Sequence, residues 1–432
     1  MKNAIKIAKI TINFIKGAQM KTVSIVNMGC KVNLYEADKI AGILACSGFS
    51  VDFGLKPADI YVLNTCAVTN EGERKSRNML TKLLKLNPNA SVYVCGCASQ
   101  NNSQNFTTNP NVKYVIGTQN KDQLAYQICA DFGVACVYTT NQISSRTRGV
   151  LKCQDGCNNF CSYCLIPYLR GREVSRPLAD LVAELDQMQK AGVNEVVLTG
   201  INLSAYGRDL NNGTGFIDLA KMFENRPMRY RFSSLEVNVV TEELISYLST
   251  QPNFCDHFHL SMQSGCNHTL KKMNRHYTKE DYLQRVQLIR KYFPNAGITT
   301  DVIVGFPTEK DEHFEETYNT CKQANFAEMH IFVYSKRAGT VAEKFKNEAT
   351  NVKQRAEKLA QLNIKNKAAF IKQNIGKTYQ IIVENKKGDY LTGHTPNYIM
   401  CYIKGDYNSN DIVKVKILQQ YLDGAIAEVI EK

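Results

Sequence analysis

Six times between residues 146 and 335 a strand-like run gives way to a helix-like run, and this alternation restricts the possible folds more than any other feature of the chain. The runs GVLKCQ, EVVLTGI, RYRFSSLE, HFHLSMQ, TTDVIVGF and MHIFVYS are rich in β-branched and aromatic residues. Amphipathic segments separate them. LADLVAELDQMQKAG has Pro177 ahead of it and Gly192 at its stop, and KEDYLQRVQLIRKYF ends before Pro294. Six βα units predict a partial, TIM-like (β/α)6 barrel, whose chemistry belongs at the C-terminal ends of its strands.

Residues 21–145 alternate in the same way. The strand-like runs are TVSIVNM, DIYVLNT, SVYVCG and KYVIGT, and helix-like segments fall near 34–46, 71–86 and 120–132. The pattern predicts a flavodoxin-like parallel sheet wrapped by helices, so the fold class is α/β. A basic helical stretch covers 341–373. From Thr378 the pattern changes to short strands (YQIIVEN, KKGDYLTGHT, YIMCYI, DIVKVKILQQ, GAIAEVIE), with turns at Gly388 and Gly405. That pattern predicts a small C-terminal β-barrel. The expected organisation is an extension at 1–20, disordered; an N-terminal domain at 21–145; a barrel domain at 146–372; and the small β-barrel at 373–432. Met20 stands directly before the first strand, so residues 1–19 read as dispensable or as an over-long gene start.

With 44% hydrophobic and 22% charged residues the chain reads as globular, and no apolar run is long enough to span a bilayer. The first twenty residues mix Lys with Ile and Phe without an unbroken apolar stretch, which argues against a secretory signal. The fifteen cysteines then point to thiolate–metal chemistry in a reducing cytoplasm, not to disulfides.

Cys157, Cys161 and Cys164 lie in GCNNFCSYCLIP. Three sulfurs so close can reach one metal centre, and three protein ligands on a four-iron cube leave one iron open. The rival reading is structural zinc with Cys153 as fourth ligand. Against it, Cys153 falls inside a strand run, and zinc sites usually pair two CxxC units. Cys30, Cys66 and Cys97 each fall just past a strand end, in NMGC, LNTC and CGC. Ligands of a parallel sheet sit beyond such ends, so these three are a second candidate metal set. The plain alternative is buried cysteine, which is expected for Cys46, Cys129, Cys136, Cys255, Cys266, Cys321 and Cys401. Cys95 and Cys97 alternate on one strand, so only one of them can join the rim.

The net charge of +13 has two sources. Residues 1–21 contribute five lysines and no acid, and residues 336–377 contribute eleven Lys or Arg against three Glu. The second segment suits a polyanion, and the alternative is a solvated helix face.

Cys157-Asn-Asn-Phe-Cys161-Ser-Tyr163-Cys164 resembles the cluster loop of the radical S-adenosylmethionine (SAM) enzymes. IPYLRGREVSRP, FSSLE, HLSMQSG, MNRHYT, DVIVGFPTE and VYSKRAGT look like the methylthiotransferase branch, as do GCKVNLYEAD, NTCAVT and GCASQ. The terminal barrel resembles that family's TRAM domain, so the likeness runs from Met20 onward. Lys31-Val32-Asn33 after Cys30 looks like the subgroup acting on tRNA N6-threonylcarbamoyladenosine. Cys153 and Cys95 stand where members of the family generally carry apolar residues.

The resemblance implies a methylthiotransferase with two [4Fe–4S] clusters, Cys157, Cys161 and Cys164 holding the radical cluster and Cys30, Cys66 and Cys97 the auxiliary one. It implies replacement of adenine C2–H by C2–SCH₃ at position 37 of tRNA, with two SAM molecules per turnover, one donating methyl and one generating a radical. Tyr163 is then expected against the SAM adenine, with Asn202, Glu236 and Gln263 holding its amino acid or ribose groups. Arg170, Arg172 and Arg176 are expected to pair with phosphate or the SAM carboxylate, and the 336–377 segment, including Lys353, Arg355 and Lys358, to dock the anticodon loop. Tyr379, Tyr390, Tyr398, Tyr402, Tyr407 and Tyr421 are candidates for stacking on bases, one or two at most doing so. A flavodoxin- or ferredoxin-type electron donor, a cytoplasmic location, no membrane partner and a monomer complete the expectation. The alternatives are an isopentenyladenosine substrate, a ribosomal-protein aspartate substrate, and a non-catalytic, zinc-stabilised RNA-binding protein.

Overall fold

The computed structural model describes residues 20–139 and 147–431. Met20 apart, the expected extension lies outside the described residues, as does the expected boundary at 145. The described chain divides into two compact units.

The first unit holds the described residues through Gly29, Glu36–Cys66 and those from Glu73 to 139. Its strands are β1 (Thr22–Asn27), β2 (Ser50–Phe53), β3 (Ile60–Thr65), β4 (Ser91–Gly96) and β5 (Val112–Val115). All run parallel, in the order β2-β1-β3-β4-β5. This is the flavodoxin-like order, in which ligands sit at the carboxyl ends where the winding reverses. Central β3 is buried along its whole length and β4 along nearly all of it, hence their near-continuous apolar runs. Helices α1 (Lys31–Cys46), α2 (Asn70–Leu86) and α3 (Gln123–Asp131) alternate with them. Ile25, Ile60 and Val62 pack with Ile40, Leu44 and Leu124 in one core. The sequence pattern missed β2. It is four residues long on an edge, and no residue in it is fully buried, so it carries little apolar signal.

The second unit holds Cys30–Tyr35, Ala67–Gly72 and the described residues from 147 onward. Its strands are β6 (Arg148–Asp155), β7 (Val174–Ser175), β8 (Glu195–Gly200), β9 (Arg229–Phe232), β10 (Ser234–Leu235), β11 (His257–Leu260), β12 (Gly297–Val304) and β13 (Glu328–Val333). They form sheets β7-β6-β8-β9 and β10-β11-β12-β13. The expected run RYRFSSLE is split into β9 and β10, and β7 is a short antiparallel addition. Six parallel βα strands therefore curl into the partial barrel. Outward-pointing Leu151, Leu198, Phe258, Ile298 and Val302 share one core with Leu181 and Leu185 of α4 (Leu178–Lys190), Leu244 of α5 (Glu242–Ser249), Val286 of α6 (Lys279–Tyr292) and Phe314 of α7 (Asp311–Ala324). Thr278 starts α6 with a capping box closed by Asp281, which satisfies two otherwise orphaned donors.

The basic stretch forms α8 (Val352–Asn374), followed by β14 (Thr378–Lys387), β15 (Tyr390–His394), β16 (Met400–Ile403), β17 (Ile412–Tyr421) and β18 (Gly424–Glu431). These five close into a barrel in the order β14-β15-β16-β18-β17, around Ile381, Val383, Cys401, Val413, Val415 and Ile417. This small barrel docks on the N-terminal ends of the large one. Arg229 Nη2 donates to the His394 carbonyl at 3.0 Å, Asn194 Nδ2 to the Asn410 carbonyl at 3.0 Å, and Asn397 Nδ2 to the Asn295 carbonyl at 3.0 Å. The small barrel's contacts thus lie at the end opposite the C-terminal strand ends.

Glu195, fully buried at the start of β8, anchors this junction with Arg231 Nε at 2.7 Å and Arg229 Nε at 2.5 Å. Burial pushes its carboxyl up, but Arg231 and Arg229 prevail and hold it at about 2. Its folded-state pKa thus lies below its unfolded value. The stabilisation is complete above about pH 4.5 and is lost as pH falls toward 2, an effect on the order of 3 kcal/mol. Urea unfolding between pH 5 and pH 3 will show a steep loss of stability, and Glu195→Gln will flatten that slope.

Candidate functional site

β6 ends at Asp155, and Gly156 (φ 68) turns the chain into the three-cysteine loop. A Cβ at Gly156 would lie 1.8 Å from the Arg172 carbonyl oxygen, so only glycine fits here. The loop is pinned on several sides. Cys157 N–H donates to the Gly171 carbonyl at 3.1 Å, Ser162 N–H to the Met273 carbonyl at 3.0 Å, and Asn274 Nδ2 to the carbonyls of Asn159 and Phe160. Phe160 takes the left-handed conformation (φ 47), packing edge-on against Tyr168 beneath the Arg172 guanidinium. A bulky residue held there is local strain of the kind that collects at functional sites.

Two donors point at the sulfurs. Arg275 Nη1 lies 3.3 Å from Cys161 Sγ, and Ile166 N–H lies 3.4 Å from Cys164 Sγ. Burial pushes the Cys157 thiol up to about 11 and that of Cys164 up to about 12. Three half-buried sulfurs in one short loop, with donors aimed at two of them and no disulfide formed, fit a metal cluster that would displace their protons. Cys153 does not join them. It is fully buried among the helix-facing core residues, which removes the fourth ligand of the zinc reading.

Glu236 follows β10 and accepts from Asn159 Nδ2 at 2.7 Å and from Arg275 Nη2 at 3.0 Å. Asn159, Glu236 and Arg275, with Arg208, Asn238 and Asn274, line a recess of about 190 Å³ beside the loop. Asn202 follows β8, takes the Gln154 side-chain oxygen on its N–H at 2.9 Å and donates to Glu173 at 3.2 Å. Glu173 also receives Asn158 N–H. Gln263 follows β11 in the left-handed region (φ 65), with its backbone paired to β12. Asn202, Glu236 and Gln263 therefore all stand at C-terminal strand ends. Tyr163 packs into an apolar cluster with Met273, Phe306 and Ala342. The sequence reading gave no role to Asn159, Glu173, Arg208 and Arg275. Their only sequence signal is position, in or after the cysteine loop or a strand end.

Several expected anion-binding residues are committed elsewhere. Arg170 is fully buried against Asp155 at 3.0 Å and the Asn33 side chain. Arg176 pairs with Glu184 at 2.7 Å and with the Tyr35 hydroxyl at 3.0 Å. Arg355 is buried between Glu309 at 2.6 Å and Asp311 at 2.7 Å, and Lys358 meets Glu315 at 2.5 Å. Arg337 is also buried. In each case the charge tethers one element of the second unit to another. The exposed cations of 336–377 are Lys336, Lys344, Lys346, Lys353, Lys365 and Lys372. Among the tyrosines, Tyr402 is buried, Tyr398 is stacked between His257 and His394, and Tyr379 bonds Asn374. Tyr390, Tyr407 and Tyr421 remain partly exposed.

In the first unit, Thr65 lies opposite Gly96 and Asn27 opposite Asn64, so β1, β3 and β4 end side by side. Cys66 and Cys97 follow β3 and β4 directly, half-buried and buried respectively; Cys30, which is grouped with the second unit, lies three residues past β1 and is exposed. Cys95 points into the core. Cys129, Cys255, Cys266, Cys321 and Cys401 are buried as expected. Cys46 is exposed at the last position of α1, and Cys136 is half-buried.

An open six-stranded barrel with a strained three-cysteine loop after its first strand defines a radical SAM protein. The Radical SAM superfamily model matches residues 151–321, and a second model, described as uncharacterized protein family UPF0004, matches residues 22–117. The chain is 35% identical to the threonylcarbamoyladenosine tRNA methylthiotransferase MtaB of Bacillus subtilis, over 95% of this chain and 98% of that one. It is 33% identical to the tRNA-2-methylthio-N(6)-dimethylallyladenosine synthase of Caldicellulosiruptor saccharolyticus, over 96% and 94%. The fold is similar to that of the radical SAM methyltransferase TsrM from Kitasatospora setae, with a TM-score of 0.54 at 15% identity over 72% of this chain and 73% of that one. The chain belongs to the MtaB-like methylthiotransferase family of radical SAM enzymes.

Proposed function

We propose that this chain methylthiolates C2 of N6-threonylcarbamoyladenosine at position 37 of tRNA. The observation that carries the reading is the three-cysteine loop at the mouth of a barrel whose chain is 35% and 32% identical, over 95% of its length, to threonylcarbamoyladenosine tRNA methylthiotransferases. No side-chain base ionises an adenine C2–H near neutral pH. A [4Fe–4S] cluster with SAM supplies, when bound, the radical chemistry this bond requires. Cys157, Cys161 and Cys164 would hold that cluster. Arg275 and the Ile166 amide, by donating to sulfur, would steady the thiolates. The recess bounded by Glu236, Asn159 and Arg208 offers carboxylate, amide and guanidinium groups to the polar ends of SAM. Asn202, Gln263 and Tyr163 would complete that site.

Cys30, Cys66 and Cys97 would hold a second [4Fe–4S] cluster, and two SAM molecules would be used per turnover. The exposed lysines of 336–377 would meet the phosphates of the anticodon loop, and Tyr390, Tyr407 or Tyr421 would stack on an unpaired base. No helix of the described residues is long and apolar enough to cross a membrane. The enzyme would act in the cytoplasm as a monomer, fed by a flavodoxin- or ferredoxin-type donor.

The dimethylallyladenosine relative gives a second reading, in which isopentenyladenosine is the substrate. Mass spectrometry of tRNA nucleosides from a deletion strain separates the two. The expected result is loss of the 2-methylthio form of threonylcarbamoyladenosine, with its unmodified form accumulating and the isopentenyl products unchanged. Loss of methylthio-isopentenyladenosine instead would transfer the assignment to the second reading.

A further inference from the structure

The concave face of the large barrel carries a cluster that the proposed reaction does not use. His259 on β11, Asp301 on β12 and His330 on β13 stand on three consecutive parallel strands. His259 lies opposite Thr299, two residues before Asp301, and Asp301 lies opposite His330. Their neighbours Phe258, Leu260, Ile298, Val302 and Met329 fill the helix-facing core. Strand alternation therefore turns His259, Asp301 and His330 to the opposite, inner face.

The spacing is that of a ligand set. His259 Nε2 is 3.3 Å from Asp301 Oδ2, and His330 Nδ1 is 3.4 Å from Asp301 Oδ1. One ligand atom from each residue lies within 4.8 Å of the other two. Charge-assisted N–H···O⁻ bonds close to about 2.7–2.9 Å, so these contacts are long for hydrogen bonds. A tetrahedral ion with bonds of about 2.0–2.1 Å separates its ligand atoms by about 3.3–3.4 Å; the two imidazoles approach opposite oxygens of Asp301, so the carboxylate would turn one oxygen, or offer both, to the ion. The other nitrogen of His259, Nδ1, lies 2.9 Å from Thr299 Oγ1. That bond fixes the ring and leaves Nε2 facing Asp301, as outer partners of metal-bound histidines do. The side chains are 12%, 23% and 52% exposed for His259, Asp301 and His330, so the cluster is walled on the β11 side and open beside His330.

We propose that His259, Asp301 and His330 form a binding site for a divalent transition-metal ion of the zinc class, with one coordination position open to the barrel interior. Two imidazole nitrogens and one carboxylate oxygen suit such an ion. The open position takes an oxygen ligand, which is water when no substrate is bound. The proposal goes beyond the methylthiotransferase reading and does not rest on it.

The test uses the full chain with its iron reconstituted, equilibrated with zinc chloride, gel-filtered and analysed for zinc and iron together. The expected result is one zinc per chain beyond the iron. Asp301→Asn and His330→Gln should each reduce it to less than about a tenth with iron unchanged. His330 is half-exposed, so His330→Gln decides the matter if Asp301→Asn fails to fold. Absence of zinc from the unaltered protein would overturn the site. So would zinc that replaces iron, or zinc that survives His330→Gln.

Discussion

Cys161→Ala is expected to leave the chain folded, to halve its iron and to abolish SAM cleavage. Two [4Fe–4S] clusters amount to about eight irons per chain, and about four should remain. The loop is held by backbone bonds from Cys157 to Gly171 and from Ser162 to Met273 and by the Asn274 amide. None of these uses the Cys161 sulfur, so its removal deletes a ligand without releasing the loop. Arg275→Ala makes a graded contrast. It removes the donor 3.3 Å from that sulfur and the partner 3.0 Å from Glu236, but no ligand. Loss of an outer partner of a metal ligand costs about 10–100-fold, so cleavage should fall into that range while iron is largely retained. Cys153→Ala should change neither, because that thiol is buried in the helix-facing core. Iron analysis and release of 5′-deoxyadenosine measure all three. Full iron in Cys161→Ala, or iron loss in Cys153→Ala, would remove the loop from the assignment.

The parts of this site that the sequence exposed are those fixed by local spacing. Cys157, Cys161 and Cys164 fall in eight residues, and Asn202, Glu236 and Gln263 could be located because each follows an apolar run that ends at a barrel mouth. Arg275, Asn159 and Glu173 were silent because their partners lie far off in the chain. Arg275 meets Glu236 and Cys161 only once the loops after three strands converge. The same long-range pairing misled the reading of charge. Arg355 looks like a phosphate ligand on a basic helix, yet it is spent on Glu309 and Asp311, and Arg170 on Asp155. A run of positive charge shows no partners in sequence, so buried ion pairs and exposed cations look alike. At the fold level, the strong apolar runs of β3 and β4 and the six barrel strands were readable, whereas β2 was not. The docking of the small barrel beneath the large one was also hidden, because Arg229, Asn194 and Asn397 make it with backbone carbonyls that any sequence supplies.

Alanine at Cys66 or Cys97 should divide the chemistry in two. If these residues and Cys30 hold the second cluster, each variant keeps about four irons and continues to cleave SAM, but makes no methylthiolated nucleoside. Several bonds that hold the strand tips use neither sulfur. Cys66 N–H donates to Ser76 Oγ at 3.1 Å, Ser99 N–H to Thr65 Oγ1 at 3.2 Å, and Thr65 Oγ1 to the Cys95 carbonyl at 2.7 Å. Gly96, at φ 111, lets β4 pass so close to β3 that a Cβ there would lie 2.4 Å from the Thr65 carbonyl oxygen. That close approach brings the strand tips carrying Cys66 and Cys97 together. A defect in these variants would therefore report the missing ligand and not a collapsed sheet. Cys95→Ala is the matched control on the same strand. Its thiol faces the helix-covered core, and both iron content and product should survive the change. Product analysis on a tRNA that carries N6-threonylcarbamoyladenosine without the methylthio group, run beside iron analysis on the same preparation, reads all three variants. Undiminished methylthiolation by Cys66→Ala or Cys97→Ala would leave the chain with one cluster and would require another source for the transferred sulfur.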